Sequence, residues 1–98
     1  MKLSLEGKIA IVTGGSKGIG RATALALAQE GVDVAICARG IADLEDAAAD
    51  IRASTGRKVL AVQADMGNPE DIKNLVATTV SELGGVDILI NNAVNSIA

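Results

Sequence analysis

Ile9-Ala10-Ile11-Val12-Thr13-Gly14-Gly15-Ser16-Lys17-Gly18-Ile19-Gly20, residues 9–20, decides how the rest of the chain reads. Its first five residues form a continuous apolar and β-branched run, too short for a helix and closed by Gly14 and Gly15. Such a run predicts a strand, Ile9 to Thr13, covered on both faces. From Gly18 the period changes: Ile19, Ala22, Thr23, Ala26 and Leu27 recur on one helical face until Gly31 supplies a C-terminal stop.

The same alternation continues. A second strand is expected over Asp33 to Ala38, and a second helix from Ile41 to about Ser54, burying Ile41, Leu44, Ala48 and Ile51 and ended by Gly56. A third strand, Val59 to Gln63, leads through Asp65 to Asn68-Pro69-Glu70-Asp71. There Asn68 can cap a helix, Pro69 fits its first position, and the two acids favour its positive end. Ile72, Leu75, Val76, Thr79, Val80 and Leu83 give that helix a wide apolar face before Gly84 and Gly85 break it. A fourth strand is expected over Val86 to Ile90. The order βαβαβαβ predicts an α/β fold of three layers with a parallel sheet, taken in the Rossmann order 3-2-1-4 of doubly wound folds. In that arrangement helices one and two cover one face, helix three alone covers the other, and strand four is an interior-type strand left at an edge. Residues 1–98 are therefore read as one domain, incomplete at its C-terminal side.

At 98 residues there is room for one domain only. Hydrophobic residues make up 49% and charged residues 21%, a globular balance rather than a disordered one. With no Phe, Tyr or Trp, the core must be built from small branched side chains, and no aromatic platform for bases exists. The net charge of −3, with nine scattered cations, argues against a nucleic-acid partner. Lys2, Glu6 and Lys8 break any apolar leader, and no apolar run is long enough for a membrane span, so a soluble, cytoplasmic protein with no membrane partner is expected. One cysteine, Cys37, and no histidine rule out an intrachain disulfide and a multi-cysteine metal site. Cys37 is expected to be a small buried hydrophobe.

Gly14, Gly18 and Gly20 lie between strand one and helix one. A pyrophosphate needs close backbone approach and free N–H donors at a helix N-terminus, and glycines there remove the Cβ atoms that would intervene. An ordinary βα turn would account for such a loop alone; its place between strand and helix is what makes a dinucleotide site the stronger reading. The spacing departs from G-x-G-x-x-G, and here the chain resembles the short-chain dehydrogenase/reductase family. The resemblance rests on TGGSKGIG, similar to that family's TGxxxGIG loop, on Asp65 after strand three, and on Asn91-Asn92-Ala93 after strand four, similar to its NNAG. It spans the whole chain in the right order. Val94 stands where the family usually has Gly. By this resemblance the fold is Rossmann-type, the N-terminal half of a longer doubly wound domain.

NAD-selective folds usually place an acid about 20 residues beyond the glycine loop. Here the end of strand two reads Cys37-Ala38-Arg39-Gly40, which puts a guanidinium where a 2′-phosphate would sit, with Lys17 as a second cation. NADP(H) is therefore the expected cofactor, with NAD(H) possible; two solvated surface cations are the alternative. The resemblance implies that Asp65 accepts from the adenine amino group with Met66 beside it, that Asn91 and Ala93 present backbone near the adenosine ribose, and that Asn92 braces the sheet end. Gly14, Ser16, Lys17, Gly18, Ile19 and Gly20 complete the expected cofactor site.

Carbonyl reduction also needs a proton donor at the developing alkoxide. In the family that donor is a Tyr tuned by a Lys four residues later and helped by a Ser and an Asn, all downstream of NNAG. This chain has no Tyr, and Ser96 stands too early to be the family serine. No catalytic residue is expected within it. The resemblance implies the cofactor-binding part of an oxidoreductase acting on a small carbonyl or alcohol substrate, a homo-oligomer at full length. A stand-alone nucleotide-binding module without chemistry is the second reading, and an α/β domain without nucleotide the third.

Overall fold

The computed structural model describes residues 4–92. Its elements run β1 (Ile9–Thr13), α1 (Gly18–Gln29), β2 (Asp33–Ala38), α2 (Ile41–Thr55), β3 (Val59–Gln63), α3 (Pro69–Leu83) and β4 (Ile88–Asn91). The four strands form one parallel sheet in the order β3-β2-β1-β4. This is the Rossmann-like order expected from the sequence. Strand order reverses direction at β1, so the loops after β1 and β4 diverge to leave a crevice at the carboxyl ends of the strands, where α/β sheets take their ligands.

Alternate residues of β1 and β2 feed two cores. Ala10, Val12, Val34 and Ile36 meet Ala24 and Ala28 of α1 and Leu44, Ala47, Ala48 and Ile51 of α2. On the other face Ile11, Ala35, Cys37 and Val62 meet Leu75 of α3. Ile11, Ile36, Leu44 and Ile51 are the largest fully buried side chains, each contributing about 1.5–3 kcal/mol relative to exposure. Double burial explains why β2 reads as an unbroken apolar run from Val34 to Ala38.

The helix ends follow their sequence signals. Gly31, at φ +88°, ends α1 in a Schellman arrangement: its N–H donates to the Ala28 carbonyl, and Val32 N–H reaches back to Leu27. Gly56 and Gly84 are the left-handed C-caps of α2 and α3. Asn68 caps α3, its side chain accepting from Glu70 N–H at 3.0 Å.

Four expectations need correction. In α1 the buried face is Gly20, Ala24 and Ala28, whereas Ile19 is 76% exposed and Ala22 and Ala26 face solvent. At Gly20 that face meets the glycine turn so closely that a Cβ would lie 2.0 Å from the Gly14 carbonyl oxygen. Ile41 is likewise exposed at the start of α2, whose buried face is Leu44, Ala47, Ala48 and Ile51. In α3 only Leu75 and Thr79 are buried, while Ile72, Val76 and Val80 remain exposed. Finally, β4 begins at Ile88, not Val86, and runs on to Asn91. Asp87 closes its entry: its N–H donates to the Ile9 carbonyl and its carboxylate accepts from Ile9 N–H at 2.9 Å.

Candidate cofactor site

Register brings the site together. Thr13, the last residue of β1, pairs with Cys37 on one side and Asn91 on the other. The glycine turn, the Ala38–Gly40 segment and Asn91-Asn92 therefore leave the sheet side by side. Thr13 holds this edge: its hydroxyl donates toward Asn91 Oδ1 at 3.0 Å and accepts from Asn92 N–H at 2.8 Å. Apolar periodicity gives no reason to single out Thr13, though a hydroxyl at a strand's carboxyl end is the signal that would have found it. Asn91 and Asn92 both brace the sheet end through the Thr13 hydroxyl, Asn91 by an exposed side chain and Asn92 by its backbone N–H.

The glycines of the turn divide their tasks. Gly18, at φ +56°, has nothing within 4 Å of where a Cβ would stand. At Gly20 a Cβ would lie 2.0 Å from the Gly14 carbonyl oxygen and 2.8 Å from Asn92 Nδ2, so only hydrogen fits. Gly15, which the motif spacing leaves out, would place a Cβ 2.7 Å from that of Ile36, and its N–H donates to the Cys37 carbonyl. Ser16 is half-buried within the turn, and Ile19 projects outward from the first turn of α1.

The N-terminus of α1 differs from the other two. Asn68 caps α3 and Glu70 and Asp71 stand in its first turn; α2 carries Asp43 there. At α1 the N-cap Lys17 makes no side-chain capping bond and the first turn holds no acid. The first intrahelical bond runs from Arg21 N–H to the Lys17 carbonyl, so the N–H groups of Gly18, Ile19 and Gly20 have no intrahelical acceptor. An open positive end beside a Cβ-free approach fits a phosphate group.

Arg39 is exposed and lines a polar cleft of about 370 Å³ with Gln63, Ala64, Asp65 and Asp71. Gln63 Nε2 donates to the Arg39 carbonyl at 2.8 Å. Asp65 Oδ1 accepts from Gly67 N–H at 2.8 Å, and Asp65 N–H donates to Asp71 Oδ2. Met66 turns away from this cleft, packing against the α3-side core and lining an apolar cleft with Ile11, Ile72, Val76 and Leu89. Lys17 does not line the Arg39 cleft; its ammonium pairs with Asp43 at 3.1 Å. A second bridge, Arg21 to Asp50, also ties α1 to α2. Cys37 is fully buried, and burial pushes its thiol pKa up against a weaker opposing hydrogen bond with the Gly14 backbone. Ala93, expected to contact the ribose, lies outside the described residues, as do Val94 and Ser96.

A parallel sheet with a glycine turn feeding an uncapped helix defines the class of Rossmann-like nucleotide-binding folds. The short chain dehydrogenase family model matches residues 8–97, and the chain belongs to that family. It is 41% identical over 86 residues to a 3-oxoacyl-(acyl-carrier-protein) reductase of Staphylococcus epidermidis, covering 88% of this chain and 35% of the relative. It is 44% identical over 94 residues to an L-rhamnose 1-dehydrogenase (NAD(P)(+)) of a Sphingomonas species, covering 95% of this chain and 36% of the relative. L-sorbose reductase from Gluconobacter frateurii, solved with NADPH and L-sorbose, superposes with a TM-score of 0.92 at 39% identity, over 97% of this chain and 36% of that one. The chain thus spans about a third of the length of these relatives. Among the described residues no helix is long and apolar enough to cross a membrane.

Proposed function

We propose that this chain is the NADP(H)-binding N-terminal part of a short-chain oxidoreductase that exchanges a hydride reversibly with a ketone or alcohol. The observation that carries the reading is the open N-terminus of α1, with neither a side-chain cap nor an acid, beside the unfilled space at Gly18. Bound there, the nicotinamide cofactor supplies or accepts the hydride. The chain's own part is to hold and orient it. Backbone N–H groups of Gly18, Ile19 and Gly20 receive the pyrophosphate, Lys17 and Arg39 receive the 2′-phosphate, and Asp65 accepts from the adenine amino group along the polar cleft. Asn91 and Ala93 complete the adenosine side, Asn91 through backbone positioned by Thr13, and Met66 contributes only backbone beside Asp65, its side chain being packed against the α3-side core.

Relatives named as reductases and dehydrogenases, one solved with NADPH, support this assignment. The proton donor would come from residues beyond these 98, since none of them is a Tyr. A small carbonyl or alcohol substrate, a homo-oligomeric full-length form and a cytoplasmic location belong to the same reading. Replacing Arg39 by Asp tests it. Fluorescence titration of the full-length gene product should show NADPH weakened by tenfold or more and NADH much less, because a charge-assisted phosphate contact is worth roughly 1.5–3 kcal/mol. Equal weakening of both cofactors would remove the phosphate clamp.

A further inference from the structure

The cofactor reading leaves one acid at the site without a task. Asp43 stands in the first turn of α2, where its carboxylate lies 3.1 Å from Lys17 Nζ. Both side chains are well exposed, 77% for Lys17 and 56% for Asp43, so neither is trapped by packing. The placement follows from register. β1 ends at Thr13 opposite Cys37 of β2, so the turn bearing Lys17 and the segment leading through Arg39 to α2 leave neighbouring strands together.

A 2′-phosphate carries a charge of about −1.5 to −2 at neutral pH. Lys17 and Arg39 alone would offer it two positive charges. With Asp43 on Lys17 the local sum is one, because the carboxylate competes with the incoming phosphate for the same ammonium. A ribose 2′-hydroxyl carries no charge and disturbs the pair little.

We propose that Asp43 is a specificity-determining residue that holds Lys17 in an ion pair, which NADPH must break and NADH need not. The inference rests on the reading of Lys17 as a 2′-phosphate ligand. Asp43 thereby narrows the preference for NADPH over NADH that Lys17 and Arg39 would otherwise set. It acts on phosphate affinity through Lys17, while its position at the positive end of α2 is a separate contribution to helix stability, which the thermal melts read.

The test compares Asp43→Asn, Asp43→Lys, Lys17→Ala and the Lys17→Ala/Asp43→Asn double variant in the full-length gene product. Each is titrated with NADPH and with NADH by fluorescence, and thermal melts confirm folding. Asp43→Asn should tighten NADPH by about two- to fivefold, the range of an exposed ion pair, and leave NADH unchanged. Asp43→Lys should tighten NADPH further. The gain should shrink at about 0.5 M salt, where exposed charges are screened, and vanish in the Lys17→Ala background. NADPH binding unchanged or weakened by Asp43→Asn, a gain that survives loss of Lys17, or equal shifts for both cofactors would overturn the proposal. If Lys17→Ala and Arg39→Asp still select against NADPH in those cases, only the role of Asp43 falls. If those two variants weaken both cofactors equally, the phosphate clamp falls and this inference with it.

Discussion

Gly18 and Gly20 stand two positions apart and are glycines for different reasons. A methyl group at Gly20 would collide with the Gly14 carbonyl oxygen at 2.0 Å, and backbone cannot yield cheaply. Gly20→Ala should therefore cost about 3 kcal/mol or more, read as a lowered denaturant midpoint. At Gly18 the space is open and only the left-handed φ of +56° opposes a side chain, a strain of about 1–2 kcal/mol. Gly18→Ala should leave a folded protein that binds NADPH and NADH at least tenfold more weakly, because its methyl group enters the phosphate approach. A folded Gly18→Ala variant with undiminished affinity would remove that approach from the site. Thr13 and Asp43 show the complementary lesson: their roles are visible only through partners distant in sequence, Asn92 for one and Lys17 for the other.

The three helices carry three different N-termini, and the difference separates support from binding. The end of α3 is satisfied by Asn68, and Asn68→Ala should lower stability by about 1 kcal/mol while Asn68→Ser stays close to the parent, both measured by denaturant unfolding. No change in midpoint for Asn68→Ala would mean that Pro69, Glu70 and Asp71 suffice to start the helix. The end of α1 has neither a side-chain cap nor an acid in its first turn, which costs local stability and, on the function proposed above, leaves the dipole for the cofactor. Helix existence and termini were legible in the sequence, since Gly31, Gly56, Gly84 and Asn68 act within a few residues of themselves. The buried faces were less so. Alanine satisfies either side of a helix, and the choice of Gly20, Ala24 and Ala28 over Ile19, Ala22 and Ala26 depends on how closely α1 approaches β1.

For the molecule as a whole, the two faces of the sheet are covered unequally. Two helices close one face, but α3 alone attends the other and leaves Ile72, Val76 and Val80 in a stripe at i, i+4 and i+8, beside Leu89, which is 64% exposed. Relatives considerably longer than this chain, which covers 35–36% of them, support reading that surface as one that further chain covers. Val76→Lys separates the possibilities. In the 98-residue chain an exposed position should tolerate it within about 0.5 kcal/mol. In the full-length gene product an unpaired buried ammonium should cost several kcal/mol and lower the yield of folded protein. A similarly small cost in both would mean that Val76 stays exposed in the longer protein.

Sequence alone determined the alternation of strands and helices, where each helix starts and stops, and the glycine turn at the head of α1, while the order β3-β2-β1-β4 followed from the Rossmann-type arrangement those motifs resemble. These depend on backbone geometry within a few residues and on crossover rules that side chains do not alter. Tertiary structure decided which face of α1 is buried, that β4 starts at Ile88, that Thr13 locks the sheet edge, and that Lys17 is held by Asp43. Each of those depends on the distance between segments far apart in the chain, and a one-dimensional pattern does not contain that distance.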